Sequence, residues 1–152
     1  MLRPIPTTTS LVVCSTCRVS EGQREDQSRR GGEIFAGHLR QALVEHACSD
    51  RLNIQTMPCL FACSSHCTAF LRSEGRFGYI LGKFAPTRDS AVALLDFAAH
   101  YLASTDGVVP YGDWPEGVKG HFLVRVPPAG FIWDPSSLLH IALQENQEGE
   151  AG

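Results

Sequence analysis

The sequence predicts an α/β domain: a four-stranded mixed sheet, in β-α-β-β-β-α order, flanked by helices. Three observations carry this. Short β-branched or alternating runs, such as Leu11-Val12-Val13 and Leu52, Ile54 and Thr56, are separated by a stretch of helical period. Two later alternating runs, at residues 68–71 and 77–81, are joined by Ser73-Glu74-Gly75-Arg76, a tight turn with a glycine for a left-handed position. A second helical pattern follows them, and helices laid on a mixed sheet are the economical packing for that order. The chain has 152 residues, 43% of them hydrophobic, enough for one core.

Residues 1–10, with Pro4, Pro6 and a run of hydroxyl residues, read as an extended N-terminal extension. The first strand ends at Cys14-Ser15-Thr16-Cys17. Residues 18–32 are polar, of mixed charge, and broken by Gly31-Gly32, so a loop is expected. From residue 33 to about 48, Phe35, Leu39, Ala42, Leu43 and His46 fall on one helical face. The next strand runs into Pro58 and a loop holding Cys59, Cys63 and Cys67, one cysteine every fourth residue. The second helix opens at Pro86-Thr87, with Thr87 as N-cap, Asp89 in the first turn, and Val92, Leu95, Ala99 and Leu102 on the inner face. Past Gly107 the chain is turn-rich, with residues 121–126 able to add a short extra strand. The domain is expected over residues 11–128. The C-terminal extension, 129–152, carries an amphipathic piece with Leu138, Leu139, Ile141 and Leu143 and an acidic end expected to be disordered.

A net charge of −3 leaves no electrostatic footprint for nucleic acid. No apolar run approaches the roughly 18 residues of a membrane span. Residues 1–10 lack the apolar core of a signal peptide. A cytoplasmic protein is therefore expected. Thiols stay reduced there, so gathered cysteines point to metal or redox chemistry rather than to structural disulfides.

Five of the six cysteines gather in two short loops. Soft thiolates select zinc, copper(I) or iron–sulfur clusters. An all-cysteine zinc site usually uses two Cys-x₂-Cys knuckles. The pair Cys14 and Cys17 has that spacing; Cys59 and Cys63 do not. A two-iron cluster takes one thiolate pair on each iron, and two loops each donating a pair meet that demand. The same residues admit a zinc site, inert buried cysteines, or a thioredoxin-type dithiol at Cys14 and Cys17. That dithiol normally opens a helix, whereas here about fifteen residues precede the helical pattern. Cys48 reads as a packing residue near a helix end. Cys67 reads as a strand start, a residue beneath the cluster, or an alternate ligand exchanging with Cys63. His66 reads as a solvated loop histidine rather than a Rieske-type ligand, and His38 and His46 as surface or core-edge groups. No catalytic dyad stands out, which favours a carrier over an enzyme.

Val13-Cys14-Ser15-Thr16-Cys17-Arg18, the segment from Pro58 to Cys67, Tyr79-Ile80-Leu81-Gly82, Tyr101, Asp106-Gly107 and Arg125-Val126-Pro127-Pro128 resemble the DUF1636 family of bacterial metal-binding proteins. That family is similar to the thioredoxin-like two-iron ferredoxins. The resemblance covers about residues 11–128. It implies a thioredoxin-like fold with a [2Fe–2S] cluster held by Cys14, Cys17, Cys59 and Cys63. Cys59 and Cys63 match the second ligand pair of those ferredoxins and Cys14 the first ligand. Cys17 departs, because the usual spacing between the first two ligands is longer. The resemblance also implies a redox partner protein, in cobalamin or cobalt metabolism, and a homodimer.

Overall fold

A computed structural model describes residues 2–132 and Asp134. The amphipathic piece and acidic end expected within residues 135–152 lie outside the described residues.

The first strand, β1 (Ser10–Cys14), is buried along its whole length, as its apolar run requires. Its neighbours are β4 (Asn53–Met57), parallel to it, and β5 (Ala69–Arg72), antiparallel. β6 (Gly78–Leu81) pairs with β5, and β7 (Phe122–Val126) pairs with β6, both antiparallel. The sheet therefore has five strands in the order β4-β1-β5-β6-β7. The expected four-stranded sheet is one strand short. The extra strand foreseen at residues 121–126 joins the free edge of β6, with a register shift between Ile80 and Leu81.

The polar stretch expected as a loop holds a small hairpin instead: β2 (Glu25–Asp26) and β3 (Arg29–Arg30). Opposite charges face each other across it, Glu25 against Arg30 and Asp26 against Arg29. Its two turn residues, Gln27 and Ser28, both have positive φ, 48° and 65°.

The helices are α1 (Gly31–Val44) and α2 (Arg88–Ala103). Thr87 caps α2 as expected, its side chain accepting from the Ser90 N–H at 3.3 Å. The buried face of α2 is Ala91, Leu94, Leu95, Phe97, Ala98 and Tyr101. Val92, Ala99 and Leu102, expected on that face, lie at its half-buried border, and Phe97 and Tyr101 occupy the buried face. Two short 3₁₀ turns, Tyr111–Asp113 and Glu116–Val118, precede β7. Both helices share one core with Leu11, Val13, Ala69, Leu71, Tyr79 and Leu81 of the sheet. Truncating a fully buried member such as Phe35 or Leu39 would cost about 2–5 kcal/mol. None of the helices among the described residues is long and apolar enough to cross a membrane.

Candidate metal centre

The two cysteine loops leave the same end of the sheet. In the β1–β4 pairing Cys14 is opposite Met57, so both strands finish together. The strand ends are tied by backbone bonds: the Ser15 N–H to Met57 O at 2.9 Å and the Cys14 N–H to Thr68 O at 3.0 Å. The Thr16 hydroxyl donates to the Pro58 carbonyl. Cys14 Sγ lies 3.9 Å from the same carbonyl and 3.9 Å from Thr16 Oγ1. Thiols over forty residues apart in sequence are thus brought to one corner.

The hairpin insertion changes the context of the first pair. It loops out and returns, so that α1 begins against the cysteine loop, and the Gly32 N–H donates to Cys17 O at 3.2 Å. The approach admits no side chain, since a Cβ on Gly32 would lie 1.7 Å from Cys14 O and one on Gly31 2.1 Å from Arg18 O. The intervening residues 18–30 therefore do not separate the dithiol from a helix start, contrary to the spacing argument.

Cys14 and Cys17 are buried, 2% and 4% exposed, and near enough for each to shift the other's pKa. Burial alone would raise the Cys14 thiol pKa. Hydrogen bonds to Cys17, to the Leu60 and Thr16 backbone and to the Thr16 hydroxyl outweigh it and hold that pKa below its ordinary value. Burial pushes Cys17 up to about 11, against hydrogen bonds to Thr68.

The second pair is more open. Cys59 is half-buried and Cys63 exposed, their sulfurs 4.0 Å apart. The Phe61 N–H donates to Cys59 Sγ at 3.3 Å. Phe61 reaches that position at a φ of 59°, and its ring is 95% exposed. The hydrogen bond with Cys59, with its charge, raises the Cys63 thiol pKa.

Cys67 is fully buried, and its thiol donates to Arg18 O at 3.5 Å. Burial raises it to about 12, with the thiols of Cys17 and Cys14 close enough to add to the shift. Cys48 is fully buried past the C-terminal end of α1, in a chain running from its Sγ to His46 Nδ1 (3.1 Å) and from His46 Nε2 to Asp96 (2.8 Å). His66 is half-buried, which lowers its pKa, and its carbonyl accepts from the Lys83 N–H at 2.7 Å. His38 is half-buried on α1.

Three groups around the thiols escaped the sequence reading. The Arg30 guanidinium places two N–H donors on Thr16 O, at 3.0 and 2.7 Å. The Thr16 hydroxyl spans the two loops. Buried Thr68 donates its hydroxyl to Ser65 O and lies against Cys17. A Cys-x-x-Cys motif directs attention to its cysteines, and nothing in its pattern ranks the residue between them. Among the described residues, no three or more His, Cys, Asp or Glu side chains gather around a single ion position.

The family described as "Protein of unknown function (DUF1636)" matches residues 11–128. Among solved structures, the chain is similar to a thioredoxin-like [2Fe–2S] ferredoxin from Aquifex aeolicus. The identity is 14% and the TM-score 0.52, over 82% of this chain and 98% of that one. That likeness establishes the thioredoxin-like fold. No curated protein matches the chain.

Proposed function

Taking as its premise that the chain belongs to the DUF1636 family, we propose that this protein is a one-electron carrier of the [2Fe–2S] ferredoxin kind. The observation that carries the reading is the meeting of two thiol pairs at the ends of adjacent parallel strands, one pair on each strand's loop. The donor set fits the group. A tetrahedral metal with sulfur bonds near 2.3 Å separates two thiolates by about 3.8 Å. The Cys59 and Cys63 sulfurs stand 4.0 Å apart. Cys14, Cys17, Cys59 and Cys63 would hold the cluster, which when bound supplies a one-electron couple. The pairwise arrangement favours a two-metal core over a single zinc ion. Cys67, deep under Arg18, is the alternate thiolate.

The protein's own part is to shield and to tune. Burial of Cys14 and Cys17 keeps water from one side of the site, and donors such as the Phe61 N–H lower the charge density on sulfur. The exposed Phe61 ring beside Cys59 offers an apolar anchor to a redox partner, which the family resemblance associates with cobalamin or cobalt metabolism. Docking would be weak, since turnover needs release.

Anaerobic purification with iron, sulfide and zinc analysis, plus EPR of the dithionite-reduced sample, tests the reading. Two irons and two sulfides per chain with a reduced EPR signal are expected, and serine at Cys59 should abolish them. A colourless protein holding zinc without sulfide would overturn it.

A specific observation favours a second reading, a thiol–disulfide oxidoreductase. The Cys14 and Cys17 thiols interact, their pKa values are displaced in opposite directions, and α1 starts against their loop. It requires a reversible Cys14–Cys17 disulfide in the metal-free chain, which redox titration in glutathione buffers with alkylation of free thiols would detect.

A further inference from the structure

We propose that Arg30 and Thr16 form a clasp that sets the spacing of the two thiol pairs, making Arg30 a positioning residue delivered by the hairpin insertion. The proposal deepens the reading above, because it rests on the two loops acting as one site. Thr16 joins three parts of the site: Arg30, the Pro58 end of the second loop and the Cys14 sulfur. Its carbonyl takes both Arg30 donors, at 3.0 and 2.7 Å. Its hydroxyl donates to Pro58 O, the residue before Cys59. That hydroxyl also sits 3.9 Å from Cys14 Sγ.

A two-pronged guanidinium on one carbonyl fixes direction as well as distance, which a single ammonium cannot do. With the carbonyl fixed, the Thr16 peptide cannot rotate, and its hydroxyl stays aimed across the gap at Pro58. The Pro58 end of the second loop is thereby held at the Cys14 sulfur. Arg30 occupies this place because β3 ends there: it is paired across the hairpin with Glu25 at 3.9 Å and stands immediately before α1. No hairpin residue belongs to the core cluster, and the Arg30 contact ties the hairpin to the cysteine loop. Residues that orient metal ligands without binding the metal typically change affinity by 10- to 100-fold.

The test uses the full, reduced, metal-free chain and Cd²⁺ as the probe. Binding is followed by thiolate-to-metal absorbance, and the cysteines protected from alkylation are identified by mass spectrometry. In the wild type, Cd²⁺ should protect cysteines of both loops. Arg30→Met and Thr16→Val should each weaken binding about 10- to 100-fold and confine protection to Cys59 and Cys63. Thr16→Ser should restore the wild-type pattern, and Arg30→Lys should not. The double variant should bind no more weakly than the worse single one, because one clasp is broken once. Thr16 is exposed and the Arg30 side chain is 34% exposed, so the fold is expected to survive, and far-UV circular dichroism checks it. Unchanged protection in Arg30→Met and Thr16→Val, additive losses, or wild-type protection of one loop only would overturn the clasp. Iron and sulfide analysis is separate: a chain that behaves as described with Cd²⁺ yet never takes a cluster ends the electron-carrier reading while the clasp stands.

Discussion

The two thiol pairs share a residue type and a corner of the sheet, but they belong to different parts of the protein. Cys14 and Cys17 are part of the interior: buried, and fastened through Thr68 O and the Gly32 N–H. Cys59 and Cys63 are part of the surface, on a loop whose tip turns a phenylalanine ring outward. The first pair is thus built into the packed interior, and the second lies open to solvent. Such a division suits a site in which one side is shielded and the other meets a partner.

The comparison breaks first, and hardest, at the glycine that brings α1 against the inner pair. A Cβ at Gly32 would sit 1.7 Å from the Cys14 carbonyl, a backbone atom that has no room to yield. Gly32→Ala should cost about 3 kcal/mol or more in urea unfolding, through overpacking that shifts backbone. Gly37, on the same helix with nothing within 4 Å of its would-be Cβ, is the control. Gly37→Ala should stabilise by about 1 kcal/mol, the helix-propensity difference. Equal effects at the two positions would mean that the inner loop is not fixed by α1.

A smaller effect separates the pairs themselves. In the metal-free chain, Cys14→Ser and Cys17→Ser place a hydroxyl where a small apolar thiol was buried and should cost about 1–3 kcal/mol. Cys63→Ser, at an exposed position, should stay within about 0.5 kcal/mol. All of them should impair cluster loading. Chemical unfolding beside iron analysis thus distinguishes a pair that holds the fold from a pair that does not.

Why the strand ends converge was legible in the sequence, whereas what fastens them was not. The runs at Leu11 and Leu52, with a helical pattern between them, imply adjacent parallel strands, and cysteines at the ends of both then share a corner. The hairpin at Glu25–Arg30 was hidden because its turn residues, Gln27 and Ser28, hold positive φ without the glycine or asparagine that signals such a turn. Missing the hairpin meant missing Arg30 and the return of α1 to the dithiol. The first helix, expected to run to about residue 48, ends at Val44, since His46 turns away to bond Cys48 and Asp96. A polar bridge between helices leaves no mark in hydrophobic period.

Proton release sharpens the comparison next. Burial holds Cys17 at about 11, so near neutral pH its sulfur keeps a proton in the metal-free chain. A metal taking that sulfur must expel the proton, so affinity rises with pH, by about tenfold per unit for each proton expelled. Cd²⁺ titrations between about pH 6 and about pH 8 should give that slope, and Cys17→Ser should reduce it by one proton. An unchanged slope in Cys17→Ser would take Cys17 out of the ligand set and leave Cys67, also raised by burial, as its replacement.

The smallest effect lies at the tip of the outer loop. Phe61 sits at a φ of 59°, a region that costs a residue with a Cβ about 1–2 kcal/mol, and its exposed ring regains nothing by packing. Glycine there relieves the strain but adds freedom to the unfolded chain, which offsets part of the gain. Phe61→Gly should therefore raise the stability of the metal-free chain by about 0.5 kcal/mol. It keeps the N–H that reaches Cys59. A loss of stability in urea unfolding would show that the ring packs against its own chain, and the outer loop would then be a second piece of interior. A gain would mean that this loop carries strain the inner pair does not, kept for the sake of an exposed ring beside the sulfur.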